Sequence, residues 1–229
     1  MLDGLRAMCF DLDDTFWDNQ RVMLRAEARV AEFLAAHYPR LAAHSLEDLR
    51  AARLELSRAE PQHAYDLTWL RTEVLRRLGV AAGYPDAVGQ QAFEIFFEAR
   101  NQVELFPDVL PALDALGSRF TLATLSNGNA DLHRIGIATR FVVRLNARDI
   151  GAGKPDPRAF GAVVDALQLR ADQVAYVGDD PHLDVHGARA AGLRTIWVNR
   201  TGREWPSGAE PADLGVADLA QLARYALAR

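Results

Sequence analysis

Three groups of polar residues, far apart along the chain, each follow a short apolar run and are of types that could act together on a phosphorylated ligand. Asp11, Asp13 and Asp14 follow the run Leu5 to Phe10, Ser126-Asn127-Gly128 closes FTLATLS, and Asp179-Asp180 follows VAYVG. Lys154 comes after the glycine-rich turn Gly151-Ala152-Gly153 and before Pro155, on a loop that could reach the same place. Asp11, Asp13 and Asp179 supply oxygen ligands, which suit a hard cation such as Mg2+ held by one or two carboxylates with waters and phosphate oxygens. Without a cation, neighbouring carboxylates repel and their pKa values rise. With that charge offset by metal and by Lys154, a dianionic phosphoryl group can approach a carboxylate nucleophile. Ser126 and the amides after it can donate hydrogen bonds to phosphoryl oxygens, and Gly128 permits close approach.

The elements needed to bring these groups together are legible in the pattern. Apolar runs at Leu5 to Phe10, Phe120 to Ser126, Phe141 to Leu145, Val174 to Gly178 and Thr195 to Val198 predict strands. Helical spacing at Val109 to Leu116, near Leu132, Pro157 to Leu167, Leu183 to Ala191 and Asp218 to Ala228 predicts helices around them. Such alternation predicts a parallel sheet covered on both faces. In that architecture ligands bind beyond the carboxyl ends of the strands, where all three acidic and hydroxyl clusters fall. Between Asn19 and Asn101 the character changes to Ala, Leu, Arg and Glu with apolar residues at helical spacing, as in Val22, Ala26, Val30, Phe33 and Leu34, which predicts three or four helices. The expected fold is an α/β Rossmann-like three-layer sandwich, its core formed by 1–16 and 105–229, with 17–104 as an inserted helical domain.

Composition narrows the function classes. The 229 residues are 49% hydrophobic and 25% charged, which excludes disorder and a disulfide-stapled miniprotein. A net charge of −5 gives no basic face for nucleic acid. The single cysteine, Cys9, cannot form an intramolecular disulfide, and no Cys/His pair has zinc-finger spacing. Acids at Asp3, Asp11 and Asp13 interrupt what a signal peptide would need to keep apolar, and no run of 18 apolar residues occurs. The expectation is a cytoplasmic protein with a small-molecule partner, no nucleic acid and no membrane, and protein partners left undetermined.

FDLDDT (Phe10 to Thr15), LSNGN (Leu125 to Asn129), Lys154-Pro155 and VGDDPHLD (Val177 to Asp184) together resemble the four motifs of the haloacid dehalogenase-like hydrolase superfamily, in the family's order. The helical insert sits where that family carries a helical cap of the first type. The resemblance implies that Asp11 is a nucleophile forming an aspartyl-phosphate and a metal ligand. It implies that Asp13 protonates the leaving alkoxide, then activates water, and offers its carbonyl to the metal, while Thr15 holds the loop. Ser126 and Asn127 would contact the phosphoryl group, Lys154 would neutralise nucleophile and phosphate, and Asp179 would bind the metal, with Asp180 and Asp184 as further ligands or just behind it. Closure of the cap would exclude water and select the leaving group. The cofactor implied is Mg2+.

An acid two residues after the nucleophile favours phosphate esters over haloacids within the family, because an alkoxide needs a proton and a halide does not. Asp13-Asp14 and SNGN most resemble a bacterial branch acting on flavin mononucleotide and other small phosphate esters. The alternatives are a phosphomutase, a 2-haloacid dehalogenase and a receiver-like phosphorylatable module. Trp17, His63, Tyr65, Trp69 and Arg71 are candidates for the substrate pocket, although aromatics at helical spacing are more often core. His182 and His186 belong to a helix surface, since magnesium prefers oxygen, and Cys9 to packing.

Overall fold

The structure, a computed structural model, describes residues 2–228, and all counts below refer to them. Six strands form one parallel sheet: β1 (Ala7–Phe10), β2 (Thr121–Ser126), β3 (Val143–Asn146), β4 (Val174–Gly178), β5 (Arg194–Val198) and β6 (Leu214–Val216), in the order β3-β2-β1-β4-β5-β6. Central strands buried on both faces read as unbroken apolar runs. Thus Ala7, Met8, Cys9 and Phe10 of β1 and every residue of β4 are buried.

After β1 come α1 (Asn19–His37), α2 (Leu46–Ala59), α3 (Leu67–Ala81) and α4 (Val88–Arg100), then α5 (Val109–Gly117), α6 (Leu132–Ile135), α7 (Ala147–Ile150), α8 (Pro157–Leu167), α9 (Gly187–Ala190) and α10 (Leu219–Leu227). Alternate strand residues face opposite ways. Ala7, Cys9, Ala123, Leu125 and Tyr176 therefore pack with Ala159, Phe160 and Val163 of α8 and Ala188 of α9. Helices α5 and α10, packed on one another and turning Leu113, Leu116, Leu219 and Leu222 inward, cover the sheet's other face. This is the three-layer arrangement expected.

The chain divides into two compact units: a sheet unit of Met1–Asp18, Glu104–Gly128 and Gly136–Arg229, and a helical unit of Asn19–Val103 with Asn129–Ile135. Four α-helices build the helical unit's core, with Ala26, Val30, Leu34, Leu70, Val74, Ala92 and Phe96 among its buried residues. Ser45 and Asp48 close a capping box on α2, and the Asp66 side chain accepts from the Trp69 N–H to start α3.

Some expectations change. Residues 129–135 lie in the span the sequence reading gave to the core, yet they group with the helical unit. The Asn129 side chain donates to Thr68 Oγ1 (3.1 Å), the Asp131 N–H donates to Asn101 Oδ1 (2.7 Å), and Arg134 lies 5.0 Å over the Phe97 ring. β6 is an unpredicted sixth strand, only three residues long and only partly buried, paired to the free edge of β5. The helix expected from Leu183 starts instead with a wide π-type turn over Pro181–His186, where the Asp184 and Val185 N–H groups both donate to the Asp180 carbonyl.

Candidate active site

The strand order reverses between β1 and β4, and the polar residues gather beyond the carboxyl ends of those two strands. Asp11 extends β1 by one rung, its N–H donating to the Val177 carbonyl (2.9 Å). The chain then coils tightly: the Phe16 N–H donates to the Leu12 carbonyl and the Asp14 N–H to the Trp17 carbonyl. Asp14 takes a left-handed φ of 58°, which aspartate tolerates better than most residues. Trp17 is fully buried and donates from Nε1 to Asp13 Oδ1 (2.9 Å), so it braces the loop.

Asp11, Asp179 and Asp184 each place a carboxylate oxygen within 4.8 Å of the others. Lys154 is buried among them and donates from Nζ to Asp11 Oδ1 and Asp184 Oδ1, both at 2.7 Å. The Tyr176 ring lies 5.3 Å from the ammonium, and its hydroxyl is held by the Leu125 carbonyl (2.7 Å). Burial alone would drive a lysine toward neutrality, but the two carboxylates hold Lys154 above its ordinary value.

The acids respond the other way. Burial raises Asp11 well above the usual carboxylate range, Lys154 pulls against it, and Asp184 and Asp13 add to it. Asp179 is pushed up to about 7 by burial and by Asp184 and Asp14, with Arg203 opposing. Burial is the main cause of both shifts, and three carboxylates facing one buried lysine also leave a surplus of negative charge. An oxygen-only donor set with that surplus fits a hard divalent cation.

Most of the expected residues meet here, but not all in the expected roles. Asp184, expected as a ligand or just behind the ligands, stands in the carboxylate trio itself. It can do so because residue 178 is glycine: a Cβ there would lie 2.3 Å from Asp184 Oδ2. That oxygen also accepts from the Asp180 N–H (2.9 Å). The Asp180 side chain caps the following turn, accepting from the His182 and Leu183 N–H groups (2.8 Å each). Asn127, expected beside the phosphoryl group, instead clamps the Lys154 backbone. Its Oδ1 accepts from the Lys154 N–H (2.7 Å) and its Nδ2 donates to the Lys154 carbonyl (2.8 Å), so both ends of the amide are engaged.

Ser126 is buried, and its Oγ accepts from the Gly128 N–H (2.9 Å), leaving the hydroxyl proton to donate. Thr15 is fully buried with no hydrogen-bond partner for Oγ1 among the described residues. It anchors the loop through its carbonyl, which accepts from Arg200 Nε (3.0 Å) and Nη2 (2.8 Å).

Arg200 also pairs with both Asp108 oxygens, at 3.0 and 2.9 Å, and lies 4.1 Å over Phe106. Sequence reasoning missed this arginine, though its place just after β5 was a usable signal. It also missed Arg203, which donates to the Asp179 carbonyl and, at 3.2 Å, to Asp179 Oδ2. The Trp197 indole donates to the same carbonyl (2.7 Å). His182 and His186 are exposed and stack on one another at 5.6 Å, as a helix-surface role requires. Cys9 is buried and its thiol is raised by that burial, which makes it inert packing. Of the pocket candidates in the insert, His63 and Trp69 stack at 4.2 Å, and Arg71 lies 4.0 Å over Phe96.

Comparison with known proteins identifies the family. The haloacid dehalogenase-like hydrolase family matches residues 5–192. The chain belongs to that family. It is similar to a phosphoserine phosphatase of Thermus thermophilus, 36% identical over 210 residues that span 88% of this chain and 83% of that one. It is also similar to the 5-amino-6-(5-phospho-D-ribitylamino)uracil phosphatase YigB of Escherichia coli, 29% identical over 86% of this chain and 84% of that one. A crystal structure of a 2-haloacid dehalogenase from Pseudomonas syringae superposes with a TM-score of 0.92 at 37% identity, covering 98% of this chain and 99% of that one. This hydrolase thus has both phosphatases and dehalogenases among its relatives. Among its described residues no helix is long and apolar enough to cross a membrane.

Proposed function

We propose that this hydrolase removes the phosphoryl group from small phosphate monoesters with a magnesium ion held by Asp11, Asp179 and the Asp13 carbonyl, Asp184 standing against the same ion. The observation that carries the reading is the trio of carboxylates within 4.8 Å, Asp11, Asp179 and Asp184, against a single buried lysine. Displacement of a halide by a carboxylate has no need of such a cation site. Transfer of a dianionic phosphoryl group does.

When bound, magnesium supplies positive charge for the phosphoryl oxygens and keeps the carboxylates ionised. The residues of the chain do the rest. Asp11 attacks phosphorus as its oxygen is oriented by Lys154 Nζ, the ester P–O bond breaks, and Asp13 gives its proton to the departing alkoxide. The Ser126 hydroxyl donates to a phosphoryl oxygen. Asp13, now a carboxylate with Oδ1 held by Trp17, takes a proton from water, which attacks phosphorus and frees inorganic phosphate and Asp11. Asn127 and Arg200 act through others: one fixes the Lys154 backbone, the other the Thr15 end of the nucleophile loop.

The phosphatases among the relatives support phosphate esters as a class, and flavin mononucleotide, phosphoserine and sugar phosphates form the panel to try, in a cytoplasmic setting. The near-complete superposition on a 2-haloacid dehalogenase favours a second reading, in which Asp11 displaces halide from a 2-haloacid. Purified protein assayed on the phosphate panel and on 2-chloropropionate separates them. Phosphate release that needs magnesium is the expected outcome; chloride release that persists in a chelator, without phosphate release, overturns it.

A further inference from the structure

The helical unit buries an ionic cluster of its own. Glu27 lies on the inward stripe of α1 between Ala26 and Val30 and is 5% exposed. Three arginines converge on it. Arg50 of α2 makes the close contact, from Nη2 to Oε2, and is half exposed to solvent. Arg53 of α2 and Arg71 of α3 are more enclosed, yet they reach Glu27 Oε1 only at 3.5 and 3.8 Å. Neither makes another hydrogen bond or ion pair among the described residues. A guanidinium carries five N–H donors; those of Arg53 and Arg71 are not fully shut off from solvent, but Glu27 serves few of them. One carboxylate cannot serve three guanidiniums, so positive charge is in surplus. Burial, with Arg53 beside it, pushes Arg71 down to about 9.

These side chains adjoin a cavity of about 30 Å³ whose wall is mostly apolar, with Val30, Leu49, Val74 and Phe96 among its residues and Glu27, Arg53 and Arg71 as its charged ones. The Phe96 ring, 4.0 Å beneath Arg71, holds that guanidinium flat and limits its freedom to turn toward solvent. A water needs about 10–15 Å³ of such space, so the cavity takes an occupant of about two waters' volume. That admits a halide or formate and is too small for a phosphate ester. Water could accept some of the free N–H groups but would leave the charge uncompensated.

We infer that this cavity is a binding site for one compact monovalent anion, of halide or formate size, held between the guanidiniums of Arg53 and Arg71. The anion supplies the acceptors that Glu27 cannot and ties α2 to α3. The site lies wholly within the helical unit and stands independently of the reaction proposed above.

The test uses the full chain with bromide as the probe and gluconate as a monovalent anion too large for the cavity, at constant ionic strength. The unfolding midpoint is expected to rise saturably with bromide, by about 3 °C for a site filled tenfold above its dissociation constant. Formate should act alike. Crystals soaked in bromide should show an anomalous peak between Arg53 and Arg71. Arg71→Gln should abolish the bromide dependence, and the less buried Arg53→Gln should weaken it at least about tenfold if the first variant folds poorly. Equal midpoints in bromide and gluconate, or bromide dependence unchanged in Arg53→Gln with no anomalous peak at the cavity, would overturn the assignment.

Discussion

Each unit of this hydrolase buries a charge cluster, and the two are opposite in sign. In the sheet unit Lys154 is the one buried cation against Asp11 and Asp184, with Arg203 reaching Asp179 from a more exposed position; in the helical unit Glu27 is the one acid paired with Arg50, Arg53 and Arg71 among the described residues. Neither arrangement is a good way to stabilise a fold, because taking charges out of water costs more than an unbalanced cluster returns. A surplus of buried charge marks a place that ions from solvent would complete, a divalent cation in one unit and a small anion in the other under the two proposed readings. The difference lies in what surrounds the surplus. The acids stand at a strand switch point with Ser126 and Asp13 nearby, where chemistry can follow binding; the arginines stand among apolar helix faces, where only binding can.

The sharpest break in the comparison is chemical. Asp11→Asn keeps the size of the side chain and a contact for Lys154, so the circular dichroism spectrum should match wild type while magnesium-dependent phosphate release falls about 10⁵-fold. No substitution in the arginine cluster should approach that loss.

Removing the buried counter-charge from each cluster comes next. Lys154→Met leaves Asp11 and Asp184 facing one another and should lower unfolding stability by about 3–5 kcal/mol in chelator, with part of the loss restored by magnesium. Glu27→Gln should cost less, about 1–3 kcal/mol in gluconate, because Arg50 is already half in water. Bromide, not magnesium, should restore it. Denaturant titrations in the four ion conditions read this directly, and rescue of either variant by the other's ion would dissolve the contrast.

The smallest effect is in pH. Below about 7 Asp179 holds a proton in the metal-free protein that magnesium must displace. Magnesium affinity should therefore climb about tenfold per pH unit from 5 toward 7. Calorimetric titrations without substrate would show it; a flat affinity across that range contradicts the placement of the ion at Asp179.

The sheet was legible because buried parallel strands read as apolar runs, and the position of the site followed from where those runs end. Asp11, Lys154, Ser126 and Asp179 could be named from their places at strand ends and loops. What stayed hidden depends on side-chain direction. Nothing in VGDDPHLD says that Asp184 swings back over Gly178 to join the trio while Asp180, closer in sequence, turns away to cap the next turn. Asn127 was named for the wrong task, because its reach to Lys154 crosses two loops. The arginine cluster was beyond pattern reading for a similar reason. Arg50 and Arg53 look like ordinary surface residues of an amphipathic helix, and Arg71 like a pocket candidate, until Glu27 is seen to face inward.

Acid quenching of a single turnover, with the ester labelled at phosphorus and the labelled residue mapped, tests the proposed chemistry most directly. With magnesium present the label should be found on Asp11, and it should be absent in chelator and in Asp11→Asn. Phosphate released with no label ever reaching Asp11, or label on another residue, would contradict the nucleophile and with it the role given to every group around it.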